Sequence, residues 1–323
     1  MLALTALVGV AVAGLLVWAR TQDPPGRRWV ELVAFTPVGL PVAAVAVLAS
    51  LLLVRRARRL GLLVLVVAVA LTGVHGWWLA PRFTGAVPEA APDGPRLVVM
   101  SQNLEQGDPA ALVALVERRE VDLLVLTDAP RDMVQAVVDA GLGRTLPHDT
   151  VAAGSGSVVW SRYPIRSDSP ISDGGDSRVV TLDVPGLQQV DVVALHPTPP
   201  YQSDGARWQQ DWQQVTERLR ASYGPGVAGH VVVAGDLNAT LDHWPLRSLE
   251  DLGFRDAAEQ LNAGLAGTWP ANGERRLLGV PVPPVLGIDH VLTAPGLVPT
   301  DRLSTDAAGS DHLGVVVTVA ATR

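Results

Sequence analysis

The 323-residue chain has no cysteine and no lysine. The first absence excludes a disulfide framework, which suits an exported domain that needs none and a cytoplasmic domain equally. The second makes all 25 basic residues arginine, so any reading of membrane orientation rests on that residue alone. No internal repeat of fixed period occurs, which removes repeat architectures. Seven histidines are present, but no two show the i, i+4 spacing of a helical zinc site, and a zinc hydrolase is disfavoured.

What is plentiful is apolar sequence at the N-terminus. Residues 2–19, 32–54 and 60–81 are apolar runs, each about long enough to cross a bilayer core, which takes roughly 20 residues of helix. Pro37 and Pro41 are tolerable in such helices, and Trp77 and Trp78 suit the interface at the end of the third. The first run lacks the basic start and small-residue cleavage site of a signal peptide. Three transmembrane helices over 1–82 are therefore expected. The tight cluster "RRARR", residues 55–59, lies between the second and third runs, and Arg20, Arg27, Arg28 and Arg82 fall on the other side. Four oppose four, so clustering decides. Keeping the cluster cytoplasmic makes the chain a multi-pass cell-membrane protein with everything after residue 82 outside.

Residues 83–95, "FTGAVPEAAPDGP", read as a linker. Residues 96–323 can form one sizeable domain. From residue 83 onward, 17 arginines face 30 acidic residues. That balance argues against tight binding of long nucleic acid, whose affinity comes largely from cations meeting phosphates.

Apolar, β-branched runs predict strands over 96–104, 121–128, 155–165, 178–184, 189–197, 230–240, 287–293 and 313–320, with a Ser/Asp/Gly loop between the third and fourth. Helices are predicted over 108–119, where Asp108 can cap and Pro109 suits the first turn, over 131–140, and over 207–223, where Trp208, Trp212, Val215 and Leu219 form one core-facing stripe. Several strands end in a polar group: Asn103, Asp128, His196, Asp236 with Asn238, and Asp289. Each alone is an ordinary turn residue. Together, at one edge of a sheet, they would make a site.

The series "SQNL", "LLVLTD", "SRYP", "ALHP", "VVVAGDLNA", "GFRDA", "GTWP", "IDHVL" and "GSDHLGVVV" resembles, in order and spacing over 96–319, the endonuclease/exonuclease/phosphatase (DNase I-like) superfamily. The three-span start resembles its membrane-attached bacterial members. The resemblance implies an α/β (α+β) fold, a four-layer sandwich of two mixed β-sheets flanked by helices. It also implies hydrolysis of phosphate esters with Mg2+ or Mn2+. A divalent cation neutralises charge on an anionic phosphate while a water is activated, and oxygen ligands suit that cation.

Carried over by motif, Asn103 and Asp128 would sit at the metal and Asp311 would approach it from the last loop. Asp236 would orient or deprotonate the attacking water, and Asn238 would hold a phosphate oxygen or that water. His312 would stabilise the phosphate or exchange a proton, with Asp289 fixing its ring. His196 would lie against the scissile phosphate. One departure stands out: relatives usually carry glutamate where this chain has Asp128, one methylene shorter, and Glu105 could substitute only if its strand continued that far. His290 should face away from Asp289. His148, His230 and His243 have no partner motif and read as surface or loop residues, and Trp269 reads as packing under the site. Arg162, Arg178 and Arg207 are available near the predicted strands and loops. The expected partner is a phosphate-ester substrate, whether small molecule, lipid head group or nucleic acid. No protein partner is inferable. The rival readings are a nuclease and a binding module that keeps the fold without turnover.

Overall fold

The computed structural model describes residues 1–151, 156–171, 176–224, 226–227, 229–306 and 309–322. Ser155 of the expected third strand, residues 172–175 of the Ser/Asp/Gly loop and Arg323 lie outside the described residues.

The N-terminal part is helical: α1 (Leu2–Gln22), α2 (Arg27–Ala34), α3 (Gly39–Val54), α4 (Arg58–Leu79) and α5 (Pro81–Thr84). Three segments, Leu2–Gln22, Thr36–Val54 and Arg58–Leu79, are long and apolar enough to span a membrane. The second run begins later than expected, because residues 32–34 belong to α2 and Pro37 opens a fresh 3-10 turn over Thr36–Val38. The bundle closes on small residues: a Cβ on Gly9 would lie 2.9 Å from that of Ala46, and one on Gly61 would lie 2.5 Å from the Val54 amide nitrogen. Close approach of helix backbones through such residues is how helices associate in lipid. Leu4, Leu15, Leu48, Leu63 and Val66 point outward and exposed, the reverse of a water-soluble bundle.

The rest of the chain runs β1 (Arg96–Asn103), α6 (Pro109–Arg118), β2 (Leu123–Thr127), α7 (Arg131–Asp139), β3 (His148–Asp149), β4 (Val158–Ser161), β5 (Ile165–Pro170), β6 (Arg178–Val184), β7 (Gln188–Leu195), α8 (Ala206–Tyr223), β8 (His230–Asp236), α9 (Trp244–Leu252), β9 (Arg255–Asp256), α10 (Ala257–Gln260), β10 (Arg276–Leu277), β11 (Val280–Pro281), β12 (Asp289–Thr293), β13 (Leu297–Thr305) and β14 (Gly314–Ala321). Two six-stranded sheets result, ordered β13-β14-β1-β2-β4-β3 and β5-β6-β7-β8-β12-β9. Both are mixed, since β1/β2 and β7/β8 pair in parallel among antiparallel neighbours.

The inner faces of the two sheets share one core, including Leu97, Val125, Val192, Val232 and Val317. The outer face of the first sheet packs under α6 and α7 through Leu112, Val116, Leu124 and Trp160. That of the second packs under α8 and α9 through Trp208, Trp212, Val233 and Leu249. Helix, sheet, sheet and helix are thus the four layers, each sheet burying both of its faces.

The single strand expected over 155–165 is two strands in different sheets. The turn through Tyr163 and Pro164 carries the chain from β4 in one sheet to β5 in the other. β13 was not expected: Pro299 interrupts its apolar pattern, and the structure absorbs it with a register shift between Pro299 and Asp301.

The helical bundle and the sandwich meet through buried charges. Asp242, 1% exposed, accepts from Arg20 Nε at 3.0 Å and from Arg82 Nη2 at 2.8 Å, and Arg247 Nη2 donates to Asp23 Oδ2 at 2.5 Å. His243, expected on the surface, is buried here instead. Its Nδ1 accepts from the Thr240 amide at 2.8 Å and its Nε2 donates to the Val30 carbonyl at 2.8 Å. Burial holds its pKa down at about 4, so the ring is neutral, as that donor–acceptor pattern requires.

Candidate active site

Strand register assembles the site. Asp289, the first residue of β12, pairs in register with Asp236, the last of β8. Asn103 ends β1, and its parallel partner is Thr127, so Asp128 begins where both strands stop. The facing sheets bring these ends together: Asn103 Nδ2 donates to Asp236 Oδ2 at 3.0 Å. The loop before β14 is held by Ser310, whose hydroxyl donates to the Asn103 carbonyl at 2.9 Å. This places His312 between Asp289 and Asp236.

His312 Nδ1 lies 2.8 Å from Asp289 Oδ2, while Nε2 lies 3.8 Å from Asp236 Oδ2 and 3.9 Å from Asp311 Oδ1. Burial pulls its pKa down, but Asp289, Asp236 and Asp311 outweigh that and raise it to about 10. The ring is therefore an imidazolium at neutral pH, a donor on both nitrogens. Burial, with Asp236 beside it, keeps the Asp289 carboxyl above its ordinary value even though His312 pulls it down. Asp236 also orients Asn238, whose amide donates to Asp236 Oδ1 at 2.9 Å. The Asn238 side chain donates to the Pro197 carbonyl at 3.0 Å. Its φ of 46° is one that asparagine tolerates better than most residues.

Of the residues singled out from sequence, Asn103, Asp236, Asn238, Asp289, Asp311 and His312 converge. His196 is at the edge, its Nε2 3.9 Å from Asp236 Oδ2. Asp128 stands exposed at the mouth with a φ of 49°, in the left-handed region that aspartate can adopt. Glu105 is beside it, for a reason other than strand continuation. β1 stops at Asn103, and the Glu105 amide then donates to Asn103 Oδ1 at 3.0 Å in a turn. Burial, then Asp128 and Asp311, push the Glu105 carboxyl up. Arg162 and Arg178 are engaged elsewhere, by Asp122 and by Asp168. Arg207 lines a polar recess of about 90 Å3 together with Asp176, Ser177 and His196.

Trp269 does more than pack: its indole Nε1 donates to Asp311 Oδ2 at 3.0 Å and aims that carboxylate. Thr268 Oγ1 accepts from the Asp289 amide at 3.2 Å. Neither role has a local sequence signal. His290 faces away from Asp289, as strand alternation requires, and pairs with Asp256 at 2.8 Å.

The donor set suits a hard divalent cation. Asp289 Oδ1 and Asp311 Oδ1 are buried with no hydrogen-bond partner among the described residues. Asp236, Asp289 and His312 offer atoms that all lie within 4.8 Å of one another. Carboxylate and carboxamide oxygens, which this edge of the sheets supplies, are the ligands such a cation takes.

A family model described as Endonuclease/Exonuclease/phosphatase family matches residues 100–312. No curated protein matches the chain. Among solved structures, D. rerio TDP2 complexed with single strand DNA product is similar with a TM-score of 0.53 and 16% identity, covering 69% of this chain and 98% of that one. The endonuclease/exonuclease/phosphatase from Bacteroides vulgatus gives 0.52 and 12%, covering 70% and 99%. That from Beutenbergia cavernae gives 0.49 and 20%, covering 70% and 72%. At these identities the likeness is one of fold.

Proposed function

Because the chain belongs to the endonuclease/exonuclease/phosphatase family, we propose that it is a membrane-tethered, divalent-metal-dependent hydrolase of phosphate esters, with phosphodiesters as the first choice of substrate. Members of this family are hydrolases that act on phosphodiester bonds. The observation that carries the reading is His312, its Nδ1 2.8 Å from Asp289 and its Nε2 3.8 Å from Asp236. A scaffold that only kept the fold would not need a buried imidazolium between carboxylates, each costly to desolvate.

A bound Mg2+ or Mn2+, held by Asn103, Asp128, Glu105 and Asp311, would neutralise phosphoryl charge. Asp236, accepting from Asn103 and from the Asn238 amide, is oriented to hold a water and draw its proton. Asn238 and His312 are donors for non-bridging oxygens, and His312 Nε2 can release its proton to the leaving oxygen as the ester breaks. His196 and Arg207 would receive the leaving group in their recess. The excess of acids over arginines favours a small phosphodiester or a lipid head group over long nucleic acid. The three apolar helices support attachment to the cell membrane, and the arginine cluster at 55–59 supports an outward-facing site.

The test is hydrolysis of bis-p-nitrophenyl phosphate by the full chain in mild detergent, with and without Mg2+. Turnover that needs the cation and disappears in Asp236→Ala and in His312→Ala is expected. Absent turnover across a panel of phosphate esters refutes the enzyme reading. Membrane embedding is tested separately, by whether the chain stays in the membrane fraction after alkaline carbonate extraction.

A further inference from the structure

A cavity of about 370 Å3 lies between the membrane bundle and the sandwich, beside β12. One wall is Phe35, Pro37 and Val38, at the start of the second span, and the facing wall includes Leu265, Val285 and Leu286. Phe35, Val38, Leu265 and Val285 each remain 45–49% exposed, so the chain leaves this apolar lining uncovered. Two arginines, Arg82 and Arg302, also line it.

Charged groups line it too. Asp242 is shared between Arg20 and Arg82, Asp256 is engaged by His290 and faces Arg302, and Asp289 is engaged by His312. Arg20 and Arg82 thus share one hydrogen-bonded acid beside apolar walls. Arg82 is 6% exposed, and its Nε has no hydrogen-bond partner among the described residues. A buried guanidinium donor left without an acceptor is costly, and an anionic oxygen would satisfy it. An anion on the arginines, a hydrocarbon chain along the apolar wall and an entrance at the level of a membrane span describe one kind of ligand.

We infer that this cavity binds an anionic membrane phospholipid, with its phosphate between Arg82 and Arg302 and an acyl chain against Phe35, Val38 and Val285. The inferred site adjoins the catalytic one at Asp289, which lines the cavity and engages His312. It rests on the reading that the apolar helices are embedded and not on turnover, so inactivity of the enzyme leaves it intact. A lipid seated there would fix the sandwich at a set height over the bilayer.

The full chain, released from detergent micelles doped equally with phosphatidylglycerol and phosphatidylcholine, is examined by native mass spectrometry. One phosphatidylglycerol per chain is expected, with phosphatidylcholine not retained. Arg302→Gln, which spares the Asp242 network, should lower retention about tenfold, the loss expected for one charge-assisted hydrogen bond. Val285→Trp, which fills the apolar wall, should do the same and keep the melting temperature of the unmodified chain. Equal retention of the two lipids overturns the inference. So does phosphatidylglycerol retention that neither substitution changes, or displacement of the lipid by millimolar inorganic phosphate alone. Recovery of the chain in the soluble fraction after carbonate extraction overturns it too, and shows that the embedding is at fault.

Discussion

Replacing Asp289 by asparagine keeps a side chain of the same shape that can still accept from His312 Nδ1, and removes only the charge. In the unmodified protein the His312 pKa is about 10 against an ordinary 6.5, because Asp289, Asp236 and Asp311 together overcome burial. Asp289 acts most strongly of these and is itself 2% exposed. Breaking a buried ion pair on one side costs about 3–5 kcal/mol, and one pKa unit is about 1.4 kcal/mol. The His312 pKa should therefore fall by about 2 to 4 units, to between about 6 and 8, with Asp236 and Asp311 preventing a larger drop. A proton-donating imidazolium acts only below its pKa. In the metal-free protein the His312 ring should show no alkaline titration limb over about pH 6 to 9.5. Asp289→Asn should show one within that range. The assay is the NMR titration of the histidine ring protons without metal. Stability follows the same sign. A raised histidine pKa stabilises the fold fully below about pH 6.5, and this contribution fades as pH climbs towards about 10. An alkaline limb that stays where it was would refute the assignment of His312 as the charged partner of Asp289.

Glu105→Gln and Asp128→Asn should each raise the Mg2+ concentration for half-maximal activity about fivefold to tenfold, since each removes one charged oxygen ligand; an unchanged Mg2+ titration in both would show that neither carboxylate reaches the cation. Asp128→Glu should lower the melting temperature, because the φ of 49° at this position costs a longer side chain about 1 kcal/mol or more; an equal or higher melting temperature would contradict this. Asp242→Ala leaves Arg20 and Arg82 buried and unpaired and should destabilise the full chain by about 3–5 kcal/mol in denaturant titration; a change under about 1 kcal/mol would mean that the junction is solvated. His290→Gln should remove a two-sided pH dependence of stability. The Asp256 carboxyl is held low by His290 despite burial, so its stabilisation is lost as pH falls through that depressed pKa. The His290 pKa is raised by Asp256 despite burial, so its share is lost as pH rises past about 6.5. Unfolding curves at acid, neutral and alkaline pH that shift equally in both proteins would refute the pairing.

Much of the site was legible because its residues lie where local periodicity stops. β1, β2 and β8 are runs whose apolar character defines strands, and Asn103, Asp128 and Asp236 sit at or just past their ends, whereas Asp289 opens β12 instead of closing a strand. The helix 108–119 carried its own start signal, and Asp108 Oδ1 does accept from the Ala110 amide at 2.9 Å. The stripe of Trp208, Trp212, Val215 and Leu219 is buried as a 3.6-residue repeat requires. The split of 155–165 into two sheets was not legible, because an apolar strand and its continuation look alike until the second half finds a different neighbour.

By itself, then, the sequence determined most of the longer helices and strands, where three apolar helices lie, and several of the polar groups at strand ends. Those features depend on residues a few positions apart, through the pleat, the helical turn and the cap. Only the tertiary structure decided that Glu105 turns in beside Asp128, that Trp269 aims Asp311, and that Asp242 joins Arg20 and Arg82 across 222 and 160 residues. Such contacts depend on sheet register and on the docking of the bundle. No local pattern records which distant side chains that packing will bring within a hydrogen bond of one another.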